Sequence, residues 1–326
     1  MKIKNLAKFF LFMPMTIALS CCSNNSKTDT SSNTPQPTSS TSKEQYHFLP
    51  GPVDVVIVSG QSNGVGISHN NCITRSIGAA AYRKYMNGFE NIGIAYDCWT
   101  KENKYGKNEY YSQNKCKNLD FVKVMLGQGN GSTTFGPEIG IAEELSESHG
   151  NRLFIIKYAC GASNLKDDWM EKDSPMYPRF INFIKLQMAN LVKHGCEPTL
   201  RAFCWMQGEG DAWKTYYENN QYENHLDKFV GNVRSDLAEY TGGNNLVFVD
   251  ATINEMDGVW DYPKEINDSK RSFAAKSEYN LLIDTQAEGL HTDQEPFDEP
   301  DLCHYDTESQ VKLGHLFAQA FKPFLS

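Results

Sequence analysis

The sequence predicts an α/β fold, a three-layer α/β/α sandwich built on a central parallel sheet of flavodoxin-like type. Three observations lead there. Short runs that are almost wholly apolar and β-branched, such as Val53-Asp54-Val55-Val56-Ile57-Val58-Ser59, read as strands buried on both faces of a parallel sheet. Between them lie longer segments with apolar residues at helical spacing. The two kinds alternate along the chain, as strand–helix–strand crossovers of right-handed sense do. No repeat of fixed period interrupts the pattern, so residues 46–326 read as one domain.

In chain order, the first buried strand is Val53–Ser59, ending at Gly60-Gln61-Ser62-Asn63-Gly64. Residues 68–134 are polar with scattered aromatics and glycines, and read mainly as loop with short elements. A stretch of that length inside a compact domain is often functional, so it is expected to shape the pocket. Gly136-Pro137-Glu138 opens a helix to about His149, with Pro137 in the first turn, where its missing N–H does no harm. Leu153–Tyr158 is the second strand and ends at Ala159-Cys160-Gly161-Ala162. A helix over Pro178–His194 stops at Gly195. Thr199–Met206 is the third strand and runs into Gln207-Gly208-Glu209. Tyr216–Tyr240 reads as a long helix closed by Gly242-Gly243, and Leu246–Asp250 as the fourth strand. Ser272–Leu282 reads as a helix and the start of a short strand, and Thr307–Phe321 as the last helix.

Before the domain stand two segments of other character. Residues 1–21 carry Lys2, Lys4 and Lys8 and then an apolar stretch, Phe9 to Leu19, too short to span a bilayer. Ala18-Leu19-Ser20-Cys21 resembles a bacterial lipoprotein cleavage site with Cys21 as the lipidated residue; plain secretion is the alternative. Residues 22–45 are rich in Ser, Thr, Asn and Pro and read as a flexible tether. The expectation is an exported chain, an envelope lipoprotein or a secreted protein, touching the membrane only through that anchor.

The chain of 326 residues is 40% hydrophobic, enough for one sizeable core. Its net charge of −9 argues against nucleic acid, which needs clustered Lys and Arg, but not against a neutral sugar. Of nine cysteines, Cys21 and Cys22 lie at the processing site. Export permits disulfides, and Cys72, Cys98 and Cys116 share one region, so a staple between two of them is expected. No cysteine or histidine spacing reads as a zinc site.

In open parallel sheets the site forms outside the carboxyl ends of the strands. Three segments sit there: Gly60-Gln61-Ser62-Asn63, Cys160-Gly161-Ala162-Ser163 and Gln207-Gly208-Glu209-Gly210-Asp211. A fourth, Asp301-Leu302-Cys303-His304, precedes the last helix. Together they hold the parts of acyl transfer. A serine hydroxyl becomes a nucleophile when a base takes its proton, and histidine does so near neutral pH. A carboxylate three residues away, Asp301, can fix the tautomer of His304. Backbone N–H groups and a side-chain amide can bind the oxyanion.

These four blocks, in this order, resemble those of SGNH hydrolases, and more narrowly of the sialate O-acetylesterase and acetylxylan esterase-like branch of carbohydrate esterases. Lys157-Tyr158-Ala159, Phe135-Gly136-Pro137-Glu138 and Leu313-Gly314 resemble that branch too. The likeness runs from Val53 to Phe321. It implies a Ser62–His304–Asp301 triad and an oxyanion hole from the N–H groups of Ser62 and Gly161 with the Gln207 side chain. Gln61, Asn63 and Glu209 would support them. No metal or organic cofactor is implied, and the substrate would be an acetylated saccharide. Two positions depart from the branch. Ala162 and Ser163 stand where a second Gly and a Thr are common, and Gly64 stands where Met is frequent.

Each residue also has a plainer reading. Ser62 could be a helix cap. The pattern Gly60-x-Ser62-x-Gly64 also fits the nucleophile elbow of α/β-hydrolases, but there several strands precede the serine and here only one does. His291, beside Asp293, reads as a surface loop residue, and Asp306 or Thr307 as the cap of the last helix. Glu209 is the next candidate for the carboxylate, and with Asp211 can equally brace loops. Cys160 and Cys303 read as packing. Trp99, Trp169, Trp213 and Trp260 either pack or stack on sugar faces. The rival functions are a non-catalytic glycan-binding protein on the same fold and an esterase for other acyl esters.

Overall fold

The β-branched run at Val53 forms the middle strand of a seven-stranded sheet. The computed structural model describes residues 46–218 and 221–326, and only the backbone of 113–116. The expected signal segment with Cys21, and the tether, lie outside the described residues. In chain order, β1 (Gly51–Gly60) ends in the one-turn helix α1 (Ser62–Val65). The two-residue strand β2 (Ser68–His69), the one-turn helix α2 (Ile73–Ser76) and α3 (Ala79–Asn87) follow. Next come β3 (Phe89–Lys104), β4 (Lys107–Val124) and β5 (Thr134–Phe135), which pairs antiparallel with β2. Then come α4 (Glu138–His149), β6 (Leu153–Gly161), α5 (Leu165–Asp168) and α6 (Tyr177–Lys193). The chain closes with β7 (Cys196–Met206), α7 (Tyr222–Asp236), β8 (Val247–Ala251), α8 (Pro263–Ala274), β9 (Asn280–Ile283) and α9 (Thr307–Phe321).

The sheet order is β4-β3-β6-β1-β7-β8-β9, and every pair is parallel except β3 with β4. The α/β/α expectation is therefore met, with one antiparallel edge strand added. The chain steps from β1 to β6 in one direction, then from β6 across to β7, β8 and β9 in the other. Right-handed crossovers place helices of opposite steps on opposite faces. So α4 lies on one face, where α9 packs against it, and α6, α7 and α8 lie on the other. Under the second face the rings of Trp169, Phe203, Trp205 and Phe229 interlock. Trp205 and Phe229 have centroids 4.9 Å apart, and Trp169 and Trp205 5.3 Å. Edge and tilted contacts of this kind add to area burial.

The sequence misleads in three places. Residues 68–134 are not mainly loop, because β3 and β4 form a long hairpin around Tyr105-Gly106, both with positive φ (53° and 80°). Such a two-residue turn matches the twist of the flanking strands. The inner half of β3 is buried from Ile92 to Cys98, but Gly93 and Asp97 interrupt its apolar pattern and residues 102–109 around the turn are exposed, so neither a continuous apolar run nor an alternation marks the hairpin. The helix expected from Tyr216 begins only at Tyr222, because residues 211–218 turn back through Tyr216 N–H and Tyr217 N–H, both donating to Trp213 O. The helix placed at Ser272 lies earlier, opened by Pro263, a residue well suited to a first helical turn. Of the three thiols considered for a staple, Cys72 is free, and the side chain of Cys116 lies outside the described residues.

Candidate active site

Register brings the first three blocks together. Gly60 pairs with Ala159 of β6 on one side and with Met206 of β7 on the other. Ser62, Gly161 and Gln207 therefore leave the same edge of three adjacent strands within two residues of one row. The close approach of β1 to β7 demands glycine at 60: φ is 135°, and a Cβ there would lie 1.9 Å from Met206 O. Ser62 then opens α1 half-buried, with Gln61 beneath it. The Gln61 carbonyl oxygen, Oε1, accepts from Gly210 N–H at 2.9 Å and from the Gln207 amide at 3.3 Å. This ties the first block to the third.

The fourth block arrives from the far end of the chain, and Asn63 receives it. Asn63 Nδ2 donates to Cys303 O at 3.2 Å, and Asn63 Oδ1 accepts from Tyr305 N–H at 3.0 Å. Both neighbours of His304 are thus held by the residue next to Ser62. Gln310 of α9 adds a bond to Asn63 O at 3.2 Å. His304 Nδ1 lies 2.6 Å from Asp301 Oδ2, while Asp301 Oδ1 accepts from the N–H groups of Cys303 and His304, each at 2.8 Å. Burial alone would raise the Asp301 carboxyl. The His304 contacts and the backbone N–H groups outweigh it and hold the carboxyl below the usual range.

Glu209 is 1% exposed and accepts from Asn63 Nδ2 at 2.8 Å through Oε1. Its Oε2 has no partner among the described residues, and burial pushes its carboxyl up. Gln207 is wholly buried. Its amide nitrogen donates to Asp211 Oδ2 at 2.5 Å, and its Oε1 accepts from Tyr222 OH at 2.8 Å. For that amide to reach an oxyanion, its N–H bond to Asp211 or to Gln61 must open. Gly161 is half-buried at the end of β6, and Ala162 follows at φ 59°. That left-handed position strains alanine and suits glycine. Ser163 braces the turn, donating to Cys160 O at 2.7 Å and accepting from Trp169 Nε1 at 2.9 Å.

The remaining sequence candidates fall elsewhere. His291 Nδ1 lies 2.6 Å from Asp306 Oδ2, so it is not a bare surface residue but a tie between its loop and α9. Asp306 does not cap α9 with its carboxylate, which also takes Glu295 N–H at 2.7 Å; Glu295 supplies the cap instead, accepting from Thr307 N–H at 2.9 Å. Among the described residues His291, Asp293 and Asp306 bring ligand atoms within 4.8 Å of one another, but two of the three are already spent on each other. Trp169 is core packing. Burial pushes the Cys303 thiol up to about 11 and the Cys160 thiol up further, so neither supplies a thiolate near neutral pH.

Sequence reasoning gave Lys157 no role beyond its block. Its ammonium donates to Glu138 Oε2 at 2.7 Å and to Gln128 O at 2.8 Å, and both ionic side chains are wholly buried. A lysine inside an otherwise apolar strand was the available signal, since a buried charge needs a partner.

Asp211 sets a pH dependence. Burial pushes its carboxyl up to about 7, against the opposing bonds from Leu165 N–H and Gln207. Unfolded, it titrates at about 4. Between those values the folded chain keeps a proton that the unfolded chain has lost, so stability falls as pH rises through that window and is level above it. Asp211→Asn is expected to melt with a flatter dependence between about pH 4 and 7. Parallel melting curves for variant and wild type would contradict the assignment.

A model of the family described as carbohydrate esterase, sialic acid-specific acetylesterase, matches residues 52–323. Among solved structures, a protein from Arabidopsis thaliana is 18% identical with a TM-score of 0.55, covering 84% of this chain and 100% of that one. A carbohydrate acetylesterase from Xanthomonas citri is 15% identical with a TM-score of 0.48, covering 83% of this chain and 56% of that one. No curated protein matches the chain.

Proposed function

The chain belongs to the carbohydrate esterase family of sialic acid-specific acetylesterases, and from that we propose that it removes O-acetyl groups from a glycan through Ser62, His304 and Asp301. Membership makes it a carboxylic ester hydrolase. The observation that carries the triad is the Asn63 strap: the residue after Ser62 bonds to the residues on both sides of His304, whose Nδ1 faces Asp301 at 2.6 Å.

In this reading Ser62 Oγ attacks the acetyl carbonyl and its proton passes to His304 Nε2. Asp301 holds the imidazole with Nδ1 protonated and stabilises the imidazolium. The N–H groups of Ser62 and Gly161 take the oxyanion, with Gln207 as third donor once its amide turns from Asp211. The C–O bond to the sugar breaks, and His304 returns the proton to the leaving hydroxyl. Water, deprotonated by His304, then attacks the acyl-serine. Acetate leaves and Ser62 regains its proton. Residues 1–21, read as a lipoprotein signal, would place this chemistry in the cell envelope.

Acetate release from a panel of acetylated glycans tests the reading, beside p-nitrophenyl esters of increasing acyl length. The acetyl ester is expected to react fastest. A preference for long acyl chains would favour the rival lipase-like reading.

A further inference from the structure

Two indole rings stand on loops that leave the carboxyl ends of β7 and β8, the edge that carries Ser62. Trp213 and Trp260 meet edge to face, with centroids 5.1 Å apart and planes at 77°. Trp213 is 40% exposed and Tyr216, three residues on, is 38% exposed. Trp260 is partly buried and packs against the core, whereas Trp213 and Tyr216 stand exposed. Apolar surface left in water costs about 25 cal/mol per Å², and these side chains are not held out by floppy chain. Tyr262 N–H donates to Ala212 O at 3.0 Å, and Lys214 N–H to Asp261 Oδ2 at 2.8 Å, so the two loops are pinned together around the ring pair.

Both loops lead back to the proposed catalytic groups. Trp213 follows Asp211, which is bonded to Gln207. Asn254, on the loop that carries Trp260, donates to Leu302 O at 3.3 Å, beside Asp301. On the other flank the Lys101 ammonium stands 5.6 Å from the Tyr216 ring centroid, and Lys101 is itself ion-paired with buried Asp168 at 2.7 Å. The result is a pre-set group of aromatic side chains on loops that are bonded to the segments carrying Gln207 and Asp301. Rigid aromatics of this kind give large contact area at low entropic cost.

We propose that Trp213, Trp260 and Tyr216 form a subsite for the ring faces of a neutral polysaccharide, so that the substrate is an acetylated chain rather than a free sugar. The proposal deepens the esterase reading and rests on it for the chemistry. Flat apolar ring faces complement the C–H faces of pyranoses. A net charge of −9 disfavours a polyanionic chain. Sialic acid, an anionic monosaccharide, has neither the length nor the charge to use this subsite.

The test compares wild type, Trp213→Ala and Trp213→Phe in two measurements. Kinetics use acetylated xylo-, manno- and cello-oligosaccharides, O-acetyl sialic acid and p-nitrophenyl acetate. Calorimetry follows binding of the same oligosaccharides without acetyl groups. Loss of one stacking contact is expected to raise KM and Kd for at least one oligosaccharide by roughly three- to tenfold. Kinetics on p-nitrophenyl acetate should stay unchanged, and Phe should restore most of the loss. Unchanged oligosaccharide KM and Kd in Trp213→Ala would overturn the subsite, as would O-acetyl sialic acid being the best wild-type substrate. If no ester is cleaved yet Trp213→Ala still weakens oligosaccharide binding, the subsite stands and the esterase reading falls.

Discussion

Ser62→Ala is expected to slow acetate release by roughly 10⁴- to 10⁶-fold while the protein melts at nearly the wild-type temperature. The two halves of the result have separate causes. In the proposed mechanism the hydroxyl is the attacking atom, so without it no acyl-enzyme forms, and only oxyanion binding and substrate placement remain. The same hydroxyl makes no hydrogen bond to another described residue, and α1 has no side-chain cap, so its removal strands nothing. Initial rates on p-nitrophenyl acetate, together with a thermal melt, decide the matter. A variant that releases acetate at the wild-type rate would remove Ser62 from the chemistry. A variant that is slow only because it unfolds would show a depressed melting temperature.

Lys157→Met is expected to cost about 3–5 kcal/mol of stability by leaving the Glu138 carboxylate buried without its cation. For a domain of this size that corresponds to a fall of roughly 10 °C in melting temperature. Glu138 opens α4 and also accepts from Gly136 N–H at 2.8 Å, so the stranded charge sits where the helix meets the sheet. Replacing both partners with apolar residues, Lys157→Met with Glu138→Leu, should recover most of the loss, because the pair's attraction largely offsets its own desolvation. Differential scanning calorimetry of the single and double variants measures this. A single variant as stable as wild type would show that the pair contributes nothing.

What could be read from the chain was whatever local chemistry dictates. The run at Val53 could only be a strand buried on both faces, and Thr307–Phe321 was bounded correctly because its apolar spacing is regular. Ser62, Gly161 and Gln207 were placed at strand ends, and the register of β1 with β6 and β7 brings those ends together. Contacts between distant segments left no local trace. Nothing in the order of residues says that Asn63 bonds to both neighbours of His304, or that Glu295 rather than Asp306 caps α9. The β3–β4 arm escaped for another reason. Its outer part, residues 102–109, is exposed and lies past Thr100, the last β3 residue to pair with β6, while Gly93 and Asp97 break the apolar run nearer the sheet, so no regular alternation marks a buried side.

Asn63 gives the proposed nucleophile and base one mount, although about 240 residues of chain separate them. Evolution can therefore lengthen or shorten the loop between Phe297 and Pro300, past the buried Glu295 cap, without disturbing the spacing of Ser62 and His304. A single inserted residue between Asp301 and Tyr305 would shift one of the two anchor points and pull the imidazole out of line. Tolerance to indels should change abruptly at Asp301, and the border would follow the bonding of one amide rather than the edge of any helix or strand.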